Sequence, residues 1–179
     1  MAYKGTFTNL HHPEKYVGDK SKIVFRSLWE RNAFRWCDEN PDVVEWASEE
    51  IQIPYENPVS GKRARYYPDL FIKLKDGRML VVEIKPHKET HAPETPNRKT
   101  KHYVQAVALW AVNSEKWKAA QQICEKNQIQ FQVWTENELE KLGIPTSAPA
   151  SEKKMLVEKK RPKLKPVKRS TRPRPKRKS

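Results

Sequence analysis

A mixed α/β domain with one central sheet, followed by a basic tail without a fold of its own, is what the sequence predicts, and three observations predict it. Apolar residues recur at helical spacing in some segments and alternate at strand spacing in others, in the order helix, three strands, two helices, strand, helix. The 179 residues suffice for one ordinary domain and not for two comfortable ones. Of the net charge of +14, +12 falls on the last 29 residues, so the body is nearly neutral.

The first 21 residues are polar, carry Pro13 and Gly18, and read as a lead-in arm. Trp29, Ala33, Trp36 and Cys37 stand at i, i+4, i+7 and i+8, which predicts a helix over residues 27–40. Asn40-Pro41 ends it, because a proline ring disfavours helical backbone in the residue before it. Residues 43–46 read as a short strand. Ile51, Ile53 and Tyr55 share one face of another, over residues 50–55. A glycine-containing turn at 57–61 precedes two strands, over 66–74 and 79–85, and Pro86 stops the second.

A polar loop with Pro93 and Pro96 leads to two helices, 99–112 and 115–127, with Asn113 or Ser114 as the cap between them. Residues 129–134 read as a buried strand. Thr135-Glu-Asn-Glu138 is a capping box, whose hydroxyl and carboxylate satisfy free N–H groups at a helix start; this short helix stops at Gly143. The domain is therefore set at 1–144, with 1–21 as its arm, and the tail at 145–179. The tail is rich in Pro, Lys and Arg and cannot bury enough surface to offset its ordering entropy, so it is expected to be disordered.

Composition excludes several classes. No run of about 18 apolar residues exists to span a membrane, and the N-terminus lacks the apolar stretch of a secretion signal. Cys37 and Cys124 sit in helical segments and read as buried reduced thiols, which fits an intracellular compartment. His11, His12, His87, His91 and His102 show no zinc-ligand spacing. The high isoelectric point speaks for a polyanion partner of the tail only. The tail either binds DNA phosphates without sequence preference, the favoured reading, or docks on an acidic protein surface.

The chemistry lies in Pro68-Asp69 and Glu83-Ile84-Lys85, joined by a tight hairpin. Residues two apart on a strand share a face, so Glu83 and Lys85 point the same way, roughly 7 Å apart. A two-residue Asp76-Gly77 turn would set Asp69 opposite Ile84 and mix acid with aliphatic on both faces. A three-residue loop with Gly77 in the left-handed region pairs Leu74 with Arg78, Ile72 with Leu80, Leu70 with Val82 and Asp69 with Glu83. One face is then aliphatic and the other carries Asp69, Glu83 and Lys85. A buried aliphatic face specifies register strongly, which favours the second arrangement.

Two adjacent carboxylates repel unless a cation sits between them, and oxygen ligands so placed suit Mg²⁺, with Mn²⁺ able to substitute. Lys85 would orient the attacking water, lower its pKa or neutralise charge on a phosphate; the sequence does not choose. The competing reading is a cross-strand salt bridge on a solvated face. Leu80-Val-Val-Glu-Ile84 weakens that reading, because a lone solvated acid fits poorly in so apolar a strand.

These residues resemble the PD-(D/E)xK signature of the restriction-endonuclease-like fold, a central mixed sheet flanked by helices. The arrangement is similar to the endonuclease-like domain of heteromeric transposases. Met1-Ala-Tyr-Lys-Gly5, Arg26-Ser27, Trp29-Glu30-Arg31, Glu83-Ile84-Lys85-Pro86, Arg98-Lys99-Thr100 and Lys116-Trp117 further resemble the head completion nucleases of T-even-type tailed phages, from about residue 1 to 144. The basic tail departs from that pattern.

The resemblance implies a Mg-dependent deoxyribonuclease with Glu30, Asp69, Glu83 and Lys85 as catalytic residues. It implies Asp69, Glu83, Glu30 and Ile84 as metal ligands, Glu30 from the first helix. It also implies a role in head completion and head–tail joining, DNA and phage head, neck or portal proteins as partners, and no small-molecule cofactor. The place of action would be the host cytoplasm, with incorporation in the virion left open. A structural joining protein on a nuclease fold and a non-catalytic DNA-binding module are the alternatives. Arg26, Arg31, Arg98, Lys99 and Lys101 are candidate phosphate contacts. Gln105 and His87 are further candidates for the cleft.

Overall fold

The structure is a computed structural model and describes residues 3–148; the tail from 149 onward, with its expected disorder and DNA contacts, lies outside the described residues. The first element, β1 (Gly5–Thr6), pairs with β2 (Val24–Phe25), so the lead-in arm is tied to the body. Two short 3₁₀ turns lie between them, and the fully buried Asp38 accepts the backbone N–H groups of His11 and His12 at 2.6 and 3.0 Å.

Helix α1 (Leu28–Glu39) follows, then β3 (Val43–Ala47), the hairpin β4 (Ile53–Asn57) and β5 (Lys62–Tyr66), and a second hairpin, β6 (Leu70–Leu74) and β7 (Met79–Ile84). After these come α2 (Lys101–Lys126), β8 (Gln130–Trp134) and α3 (Glu136–Lys141). The central sheet has the order β3-β6-β7-β8, antiparallel except for the β7–β8 pair, so it is mixed. The β4–β5 hairpin forms its own ribbon.

The β6–β7 register matches the three-residue loop. Leu70 pairs with Val82 and Ile72 with Leu80, Gly77 has φ 88°, and the Leu74 N–H is donated to the Arg78 carbonyl at 2.9 Å. One face of the sheet packs Leu70, Ile72, Leu80, Val82 and Ile84 against Ala33, Phe34 and Cys37 of α1, with Trp46 at the centre of an aromatic cluster. The other face is covered by α2, whose Trp117 and Ala120 pack with Ile53, Tyr66 and Phe131.

Two sequence expectations are corrected. The helices expected over 99–112 and 115–127 are one continuous helix, because Asn113 is buried and tertiary packing overrides its weak helix preference. The strand expected over 66–74 is two strands, β5 and β6, interrupted at Pro68-Asp69, since Pro68 has no N–H to give a ladder. The body also continues past residue 144: the Asn32 amide donates to the Pro145 carbonyl at 2.7 Å, and the Trp29 indole donates to that of Thr146 at 2.8 Å.

Candidate active site

Asp69 stands where the β6–β7 ladder opens. In continued register it lies opposite Glu83, but its carboxylate turns to the neighbouring backbone, where Oδ2 accepts the Ile84 N–H at 2.7 Å. This bond fixes the acid at the mouth of the hairpin. Burial, and then the charge of Glu83, push the Asp69 carboxyl well above its ordinary range; Glu30 adds to the push, while the Ile84 N–H and Lys85 oppose it. Ile84 itself sends its side chain into the core and offers the site only backbone.

Glu83 is 5% exposed, and both its oxygens have partners. The Tyr66 hydroxyl donates to Oε2 at 2.6 Å, and the Lys85 ammonium lies 3.2 Å from Oε1. Burial and the Glu83 carboxylate hold the Tyr66 hydroxyl far above its ordinary value, so it remains a donor. Tyr66 was not singled out from the sequence. Its signal was its place at the buried end of a strand, three residues before Asp69. Lys116 lies over the Tyr66 ring, 5.6 Å from its centroid, and over Tyr55.

Burial pulls the Lys85 ammonium down, but the carboxylates of Glu83 and Asp69 outweigh it and raise its pKa. Lys85 is therefore a fixed positive charge. Glu30 lies in the first turn of α1, where the helix dipole favours an anion. Its Oε2 accepts the Arg26 N–H at 2.7 Å, and its own N–H is donated to the capping Ser27 hydroxyl at 3.1 Å. Glu30, Ile84 and Lys85 line one open cleft of ≈ 410 Å³ with Arg26, Pro86 and Tyr3.

The donor set suits a hard divalent cation: two carboxylates in one register, one of them withdrawn from water and repelled by the other, which is the condition a cation relieves. Among the described residues no three His, Cys, Asp or Glu side chains converge into a ready-made metal cluster. Lys85 holds Oε1 of Glu83, and Glu30 is engaged at the helix start.

Of the remaining candidates, Arg26 lines the same cleft. Arg26 forms an ion pair with Glu49, and Arg31 lies 5.2 Å from the centroid of the Tyr3 ring. Arg98, Lys99 and Lys101 are exposed around the start of α2, which Thr100 caps, and Gln105 is exposed on its second turn. The His87 ring lies tilted against that of His91, with centroids 4.6 Å apart, and the His87 backbone N–H is donated to the Glu136 carboxylate.

A family model described as TnsA-like endonuclease N terminal matches residues 40–136, a span that holds Asp69, Glu83 and Lys85. A head completion nuclease of Enterobacteria phage T4 is 42% identical over 148 residues, covering 80% of this chain and 98% of that protein.

Proposed function

The chain belongs to the TnsA-like endonuclease family, and we propose that it is a nuclease that hydrolyses DNA phosphodiester bonds with a divalent cation and acts in completing a phage head. The observation that carries the reading is the Asp69–Glu83 pair beside Lys85, at the open end of one hairpin. An ordinary salt bridge would not place a second, desolvated carboxylate against the first.

Asp69 and Glu83 would hold Mg²⁺ or Mn²⁺, with Glu30 and the Ile84 backbone beside them. The ion would polarise the phosphate and the attacking water. Every other part of the chemistry falls to the chain's own groups. In the ion-free site the Glu83 and Asp69 carboxylates hold the Lys85 proton, which places a charged donor where it can orient water or stabilise the phosphate. Tyr66 fixes the second oxygen of Glu83 and sets its direction. Arg31, Arg98, Lys99 and Lys101 are the phosphate contacts that would seat the duplex, and Arg26 would join them once released from Glu49. The place of action is the host cytoplasm, and head or neck proteins are the protein partners. Among the described residues no helix is long and apolar enough to cross a membrane.

The test is cleavage of circular and linear duplex DNA in Mg²⁺ and in EDTA, by the wild type and by Glu83→Ala and Lys85→Ala. Cutting that needs the ion and disappears in both variants supports the reading. Cutting that survives both places the chemistry elsewhere. Absence of cutting by the wild type in either ion would turn the assignment toward a joining protein on a nuclease fold.

A further inference from the structure

We propose that the cavity between α2 and the segment following Lys85 is a pocket for one unpaired nucleobase of the DNA, next to the phosphate being cut; this rests on the nuclease reading. His102, Ala106, Trp110 and Asn113 succeed one another at four- and three-residue steps, so they share one face of α2. One and two turns further on, the same face supplies Trp117 and Ala120 to the core, under the β4–β5 ribbon. In its first half that face borders a cavity of ≈ 400 Å³ instead, whose opposite wall includes Glu89, His91 and Pro93.

Asn113 identifies the ligand. It lines the cavity, is 6% exposed, and its side-chain amide makes no hydrogen bond within the described residues. The amide opens to the cavity rather than into the core, and its paired donor and acceptor match the edge of a nucleobase. Trp110 adds the flat aromatic surface on which a base stacks, and Leu109, 57% exposed, an apolar rim against its edge. Glu89 in the wall can accept from a base amino group, and Lys88 beside it offers a cation to the flanking phosphate. Glu89 also lines the cleft of Glu30, Ile84 and Lys85. The two cavities therefore meet at one residue, and a nucleotide whose phosphate lies in the cleft has its neighbour's base at the pocket.

The test uses the full chain in EDTA with duplexes carrying 2-aminopurine in a short overhang, at a blunt end or in the duplex interior. Fluorescence quenching and affinity are read together. The wild type should quench the overhang probe and bind that duplex on the order of tenfold more tightly than the blunt one. Asn113→Leu and Leu109→Ser should each reduce the preference to near unity. Leu109 is exposed, so its variant keeps the proposal testable if Asn113→Leu fails to fold. Enhanced emission from the interior probe, removed by the same substitutions, would mean a flipped base fills the pocket rather than a free end. Equal binding of all three duplexes, or a preference that survives both substitutions, overturns the pocket. Cleavage in Mg²⁺ separates the two readings: cutting without a base preference removes the pocket alone, and a base preference without cutting removes the nuclease alone.

Discussion

The two faces of the β6–β7 hairpin divide the labour of the molecule. On one, Leu70, Ile72, Leu80, Val82 and Ile84 are each at most 6% exposed and pack against α1. On the other, residues one step along the same strands hold Asp69, Glu83 and Lys85 in close electrostatic contact. The first face is held by apolar burial and close packing, which have no direction. The second is held by three directed contacts, to the Ile84 N–H, the Tyr66 hydroxyl and the Lys85 ammonium, and still leaves Asp69 destabilised in its charged form. One register sets both faces, so the packing that stabilises the fold also positions the acids.

The division can be broken from either side. On the charged face, Glu83→Gln keeps an acceptor for Tyr66 but removes the charge. It should lower the cleavage rate by about a thousandfold while shifting stability by no more than about 1 kcal/mol. Single-turnover cleavage and chemical unfolding on one preparation check this. On the aliphatic face, Ile72→Ala should cost about 3 kcal/mol through lost burial and the cavity left behind. Its activity per folded molecule should match the wild type, read as cleavage rate corrected for the folded fraction.

A pH series sharpens the contrast further. The folded-state pKa of Asp69 lies above its unfolded value of 3.8, so the folded protein binds that proton more tightly than the unfolded chain. The ion-free protein should then lose stability as pH rises from 3.8 through the raised value, by up to about 1.4 kcal/mol per unit for this one group. Cleavage should rise across the same window, because the carboxylate that destabilises the fold is the form that takes a cation. Melting curves in EDTA and initial rates in Mg²⁺, both from acid to neutral pH, measure the two trends.

The hairpin was legible because two independent signals agreed: the alternation of Leu70, Ile72, Leu80 and Val82, and a turn whose Gly77 accepts φ 88°. Asp69, Glu83 and Lys85 fell together as a consequence of that register. The partner of Glu83 was not legible, because Tyr66 reaches it from a different ribbon and no local spacing encodes a contact between sheets. The unbroken α2 was hidden for a related reason. Asn113-Ser114 reads as a cap by intrinsic preference, and the packing of Trp117 and Ala120 with Ile53, Tyr66 and Phe131 carries the helix through it. The arm looked merely polar because its anchor, Asp38, lies more than 25 residues away.

The decisive substitution is Asp69→Asn, read through its unfolding midpoint without ion and its cleavage rate with Mg²⁺, measured on the same sample. The amide oxygen can still accept the Ile84 N–H, while the repulsion with Glu83 disappears. The variant should be more stable than the wild type by about 1 kcal/mol at neutral pH and essentially unable to cut DNA. A variant that cuts at the wild-type rate, or that is less stable with its fold otherwise intact, would contradict this.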